Sequence, residues 1–221
     1  MNKAGIDEAG RGPVIGPLVI AGVVLPQEEI DKLVEMGIKD SKLLSKEKRE
    51  QFFDVITVVA IDKKIEVIKA REIDRKQKKA INLNRLETDT MISILQSLTD
   101  WSEAYVDACD VNAERFQKTL EANCAGSITA EHRADLIYPV VSAASILAKV
   151  TRDNIIKAYH DEYGVDFGSG YPSDPKTNEF LEQYYLEHKS FPPIVRMCWE
   201  TVNKIIEKNQ QKNIDSFFTN K

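Results

Sequence analysis

Gly5-Ile6-Asp7-Glu8-Ala9-Gly10-Arg11-Gly12-Pro13 sets two adjacent carboxylates between a short apolar start and an arginine flanked by glycines. A strongly apolar segment, Leu18 to Leu25, follows within a few residues. Asp and Glu are expensive beside a core-bound stretch unless something positive compensates them. A metal ion would do so, and the glycines would let a phosphate backbone come close. A strand that ends in a polar turn would use the same residue types. Local chemistry alone leaves both readings open.

Working outward, residues 3–7 and 18–25 read as two strands, the second rich in Val, Ile and Leu and closed by Pro26. Glu28 to Met36 reads as a short helix ended by Gly37, and Ser45 to about Val58 as a second helix with Ser45 as its N-cap. Lys64 to Ala70 suits a third strand, and Arg71 to Lys79 a solvated helix face. Leu86, Met91, Ile94, Leu95 and Leu98 form one helical stripe. Strands over 103–108 and 127–132 bracket a helix over 112–123, and Pro139 opens a long helix to about Tyr163. Beyond residue 164 only helices are predicted, near 175–188 and 193–208. Alternating strands and helices after an antiparallel-compatible start point to an α/β layer fold with a mixed sheet.

The totals allow one sizeable core: 221 residues, 43% hydrophobic and 29% charged, with a net charge of −5. No global positive field advertises a nucleic-acid partner, although a local patch can outvote a total. Cys109, Cys124 and Cys198 are odd in number and lack CxxC pairing, so they read as reduced thiols of a cytosolic protein. The longest apolar stretch, Val14 to Leu25, is broken by Gly16-Pro17 and is too short to span a bilayer. The expected protein is therefore soluble, intracellular and without a membrane partner.

Two more acids fall just past predicted strand ends, where α/β proteins usually place their sites. Asp107 follows Ala104-Tyr105-Val106, while Asp110 and Asn112 stand closer to the next helix as caps. Asp135 lies too far upstream to cap the helix opened by Pro139. Each alone could equally be a loop residue.

With Asp40-Ser41-Lys42, Val106-Asp107-Ala108, Ala134-Asp135, the run Ser142 to Asp153 and Gly170-Tyr171-Pro172, the opening motif resembles the ribonuclease HII family, most closely its archaeal type. The match covers almost the whole chain, with several long motifs in the right order. The resemblance implies a ribonuclease H-like fold, a mixed five-stranded sheet flanked by helices, with a helical C-terminal extension. Residues 1–163 would form the catalytic domain, 164–208 the extension and 209–221 a flexible tail. It also implies that Asp7, Glu8, Asp107 and Asp135 are catalytic and ligate Mg²⁺ or Mn²⁺, two cations in the reacting complex. Hard cations want carboxylate oxygens and water, so no Cys or His is needed. Neighbours in a regular strand point to opposite faces, so sharing a site requires the strand to end or bend at Asp7-Glu8.

The implied activity is endonucleolytic hydrolysis of the RNA strand of RNA–DNA hybrids and at ribonucleotides embedded in duplex DNA, leaving 3′-hydroxyl and 5′-phosphate ends. Gly10-Arg11-Gly12 would read the ribonucleotide, backbone groups exposed by glycine being able to reach a 2′-hydroxyl. Tyr171 would stack on the following sugar, and Lys42 would lie near the scissile phosphate. Ser142, Ser145, Lys149 and Arg152 fall on one helical stripe, which suits phosphate contacts or simply a solvated face. In the tail, Gln211, Ile214, Phe217 and Phe218 match the motif that binds the sliding clamp of DNA replication, one helical turn gathering the apolar three. The expected enzyme is a monomer in replication and repair. The rivals are a DNA-junction nuclease on the same fold and a clamp-associated binding module without catalysis. The presence of all four acids argues against the module.

Overall fold

The computed structural model describes residues 1–38 and 44–219, the side chains of 212–219 excepted, so Lys42 lies outside the described residues. The described elements run β1 (Asn2–Ala9), β2 (Leu18–Pro26), α1 (Gln27–Glu35), α2 (Lys46–Val59), β3 (Asp62–Ile68), α3 (Ala70–Lys78), α4 (Leu83–Ser97), β4 (Glu103–Asp107), α5 (Ala113–Glu121), β5 (Ser127–Glu131), α6 (Ala134–Ile137), α7 (Pro139–Tyr163), α8 (Pro175–His188) and α9 (Glu200–Thr219).

The sheet has five strands in the order β3-β2-β1-β4-β5, and it is mixed as expected. β1 and β2 pair antiparallel from Asn2↔Pro26 to Ala9↔Val19. β4 lies parallel to β1, and β5 parallel to β4. β2 is buried from Leu18 through Leu25, which explains why it reads as a continuous apolar run rather than an alternating one. α4 packs on β2 through the predicted stripe, with Met91, Ile94 and Leu95 buried. Helix starts follow the capping rules: Ser45 accepts from Lys48 N at 3.2 Å and Asn112 from Arg115 N at 2.8 Å.

Gly5 has a steric role. A Cβ there would lie 2.2 Å from the Val140 carbonyl oxygen, so only glycine lets β1 pass this close to the first turn of α7. That contact places α7 on the sheet beside the end of β1 that carries Asp7.

Two helices differ from expectation. The short α6, which contains Asp135, is not among the predicted elements. α9 starts at Glu200 rather than 193 and continues through Thr219. The stretch before it cannot be helical, because its main chain is already engaged. Gly16 N donates to Ile194 O at 2.9 Å, Arg196 N donates to Val14 O at 2.9 Å, and Ile15 bridges Val195.

The chain forms two interleaved compact units, one of residues 1–9, 18–67 and 81–153, the other of 10–17, 68–80 and 154–221. The sheet belongs to the first. The second has its own core, in which Val14 and Ile15 join Phe167, Leu181 and Val202. The C-terminal helices therefore share a unit with the early segment 10–17. α3 behaves as predicted for a solvated face, with Arg71, Arg75, Lys78 and Lys79 exposed while Ile73 and Asp74 are buried. No described helix is long and apolar enough to cross a membrane.

Candidate metal centre

The β1–β4 register pairs Ile6 with Val106, so the next residue on each of these parallel strands is an aspartate, Asp7 and Asp107. β4 ends there, whereas β1 stays paired with β2 through Ala9. Of the two expected alternatives, an end or a bend at Asp7-Glu8, the strand therefore does not end there. One carboxylate oxygen from each of Asp7, Glu8 and Asp107 lies within 4.8 Å of the others.

Asp107 is not spent on capping. Asn112 caps α5, and Asp110 takes the Arg115 guanidinium at 2.6 and 2.7 Å. Asp107 Oδ1 instead accepts from Ala134 N at 2.9 Å, which ties the end of β4 to the start of α6. The preceding Arg133 adopts a left-handed conformation, φ 60°, that non-glycine residues enter only at some cost. The tie turns the chain sharply and sets Asp135 at the start of α6, 1% exposed. Asp135 lies outside the group of three mutually close acids.

Burial first, and then the Asp107 carboxylate, raise Asp7 from its ordinary 3.8 to about 7. Opposing them are the Lys149 charge, a hydrogen bond with the Ser145 hydroxyl and the 2.7 Å bond from Glu8 N to Asp7 Oδ1. The polar stripe of α7 thus faces inward. Ser142 and Ser145 are 1% and 0% exposed, and Arg152 is buried as well. Ser142 donates to the Asp135 carbonyl, and Lys149 Nζ donates to Ser145 Oγ. The stripe is not a solvated face, since Val140, Val141, Ala144 and Leu147 on the other side are buried too.

Gly10-Arg11-Gly12 and Tyr171 lie in the second unit. Gly10 leaves β1 with φ +86°, a turn glycine enters freely. Tyr171 is 39% exposed, and its ring flanks Gly12, where an added Cβ would stand 3.4 Å from Cε1. Arg196 and Trp199, which carry no motif, donate to carbonyls of Gly10-Arg11-Gly12, and Asp74 accepts from Met197 N, all within the same unit. Gln211 is exposed, and the side chains of Ile214, Phe217 and Phe218 lie outside the described residues. The three cysteines are free thiols.

The donor set fits hard divalent cations: three carboxylates converge, and burial makes ionisation of Asp7 costly, a cost that positive charge would offset. Cysteine and histidine are absent from the group, which argues against zinc or softer metals.

Comparison with known proteins agrees. Residues 4–202 match the family model described as Ribonuclease HII. A Ribonuclease HII of Pyrococcus furiosus is 51% identical, with 99% of each chain covered. The crystal structure of the ribonuclease H2 from Pyrococcus horikoshii superposes with a TM-score of 0.88 at 45% identity, covering 94% of this chain and 98% of that one. A PCNA:RNase HII complex from Archaeoglobus fulgidus contains a chain with a TM-score of 0.82 at 40% identity, covering 90% and 96%. With the fold, the acidic cluster and these likenesses in agreement, the chain belongs to the ribonuclease HII family, and its enzymatic activity is that of a ribonuclease H.

Proposed function

We propose that this ribonuclease H cuts the RNA strand of RNA–DNA hybrids and also cuts at single ribonucleotides within duplex DNA, leaving 3′-hydroxyl and 5′-phosphate ends. The observation that carries the reading is the approach of Asp7, Glu8 and Asp107 to within 4.8 Å at the ends of parallel strands. These three, with Asp135 as a fourth ligand, would hold Mg²⁺ or Mn²⁺, and two such cations supply an activated water and stabilise the leaving oxygen.

The chain's own groups prepare that chemistry. Ser145 and Lys149 steady Asp7, and Ser142 steadies the main chain at Asp135. Lys149 and Arg152 are the cations of α7 best suited to phosphate oxygens. Gly10-Arg11-Gly12 reads the 2′-hydroxyl, and Tyr171 stacks on the next sugar. The direct test is a labelled DNA duplex carrying one ribonucleotide, incubated with Mg²⁺ or Mn²⁺. A single cut at the ribonucleotide is expected. Cleavage of an all-DNA duplex at the same rate would instead favour a DNA-junction nuclease.

The tail serves a separate role in this reading. Residues 209–221 are a ligand for a sliding clamp, supported by the spacing of Gln211, Ile214, Phe217 and Phe218 and by a relative solved as a PCNA complex. Removing residues 211–221 is expected to abolish co-elution with the clamp in size-exclusion chromatography. Cleavage of the one-ribonucleotide duplex without clamp should stay within about twofold, as expected for a terminal segment that carries none of the acids. Undiminished co-elution would refute the assignment.

A further inference from the structure

Arg196 is the largest fully buried side chain of the described residues, and a cation is costly to remove from water. Main-chain dipoles of one short segment hold it there. Nε donates to Gly16 O at 2.9 Å, Nη1 to Arg11 O at 3.0 Å and Nη2 to Gly10 O at 2.6 Å. The guanidinium also lies over the Trp199 ring, 4.8 Å from its centroid, and Trp199 Nε1 donates to Gly12 O at 3.0 Å. Three consecutive carbonyls, of Gly10, Arg11 and Gly12, are thus bonded by Arg196 and Trp199.

We propose that Arg196 is a positioning residue for ribonucleotide discrimination, because it fixes the peptide planes of Gly10-Arg11-Gly12. The proposal rests on reading that loop as the recogniser of the 2′-hydroxyl. In a trans peptide the N–H points opposite to the C=O of the same plane, and the described chain contains no cis peptide. Holding the Gly10 and Arg11 carbonyls therefore aims the N–H groups of Arg11 and Gly12 away from Arg196. Those N–H groups are the donors a ribose hydroxyl would meet. A planar fork suits this role, since it reaches three divergent acceptors from one fixed plane, which the compact ammonium of lysine cannot do.

The fork is itself anchored. Asp74 on α3 accepts from Met197 N at 3.0 Å and Cys198 N at 3.1 Å, fixing the backbone just after Arg196. From the other direction, Gly170 O accepts from Val14 N and Ile15 N at 2.8 and 3.1 Å. The loop that carries Tyr171 and the loop that Arg196 holds are therefore parts of one frame.

The test compares binding of a one-ribonucleotide duplex with binding of the all-DNA duplex of the same sequence, in an Asp107→Asn background whose slow residual cleavage is stopped with chelator. Arg196→Lys, which keeps the charge, is expected to lower the ratio of the two affinities by about tenfold or more, the scale of lost charge-assisted hydrogen bonds. Affinity for the all-DNA duplex should change less than about twofold, since phosphate contacts are untouched. In the active background KM for the one-ribonucleotide duplex should rise more than kcat falls. Trp199→Phe, which removes the bond to Gly12 and keeps an aromatic ring, should give a smaller loss in the same ratio and serves if Arg196→Lys does not fold. An unchanged ratio, or equal weakening of both duplexes alongside a lower Tm, would overturn the positioning role. Failure of the parent Asp107→Asn protein to discriminate would overturn the reading of the loop itself, and the proposal with it.

Discussion

Asp107→Asn is expected to lower kcat on a one-ribonucleotide duplex by on the order of 10³-fold, equivalent to about 4 kcal/mol of lost transition-state stabilisation. The substitution is chosen because the fold should survive it. Asn keeps the Oδ1 acceptor that receives the Ala134 N–H at 2.9 Å, so the turn into α6 remains. What disappears is a negative charge from a group of three acids within 4.8 Å of one another. Single-turnover kinetics with saturating metal measure the effect directly. A loss smaller than about tenfold would mean that Asp107 is not a ligand, and the metal-centre assignment would fall.

Metal affinity should depend steeply on pH, because the proton on Asp7 competes with the cation. With Asp7 raised to about 7, affinity for Mn²⁺ is expected to grow roughly tenfold per pH unit below 7 and to level off above it. The same shift predicts the behaviour of the metal-free protein, with a sign opposite to that of a paired surface aspartate. Between its ordinary 3.8 and about 7, Asp7 binds more proton in the folded than in the unfolded state, so folding stability contributed by this group falls as pH rises through that window. The full loss above pH 7 is on the order of 4 kcal/mol before relaxation of the site. In chelator, Tm should therefore drop between pH 5 and 8, Asp7→Asn should flatten that slope, and Mn²⁺ should restore Tm at pH 8. Calorimetric titration at several pH values checks the first part and thermal melts the second. A flat affinity profile would show that Asp7 is not the competing group.

Much of this architecture is legible in local residue patterns. The apolar run of β2, the Ser45 and Asn112 caps, the Leu86 to Leu95 stripe and Pro139 at the start of α7 all obey short-range rules, and the elements stand where those rules put them. α6 does not obey them. It is four residues long, follows a left-handed Arg133 and is set by an acceptor 27 residues away on Asp107. The Ser142 to Arg152 stripe shows the same limit, since spacing reveals a polar face while only packing decides whether it meets water or buried carboxylates. Arg196 is illegible for a third reason. Bonds from a buried arginine to main-chain carbonyls leave no complementary side chain for a motif to record, and its partners at Gly10 and Arg11 lie 186 and 185 positions earlier.

That separation also has a meaning in time. Gly10 is added to the growing chain 186 residues before Arg196. At about 5–20 residues per second, roughly 10–40 s pass before the guanidinium can take hold of the loop. The strands that carry Asp7, Glu8 and Asp107 are all complete by residue 107. The strands that carry the acidic cluster are therefore all synthesised well before the arginine that frames the loop proposed to tell RNA from DNA.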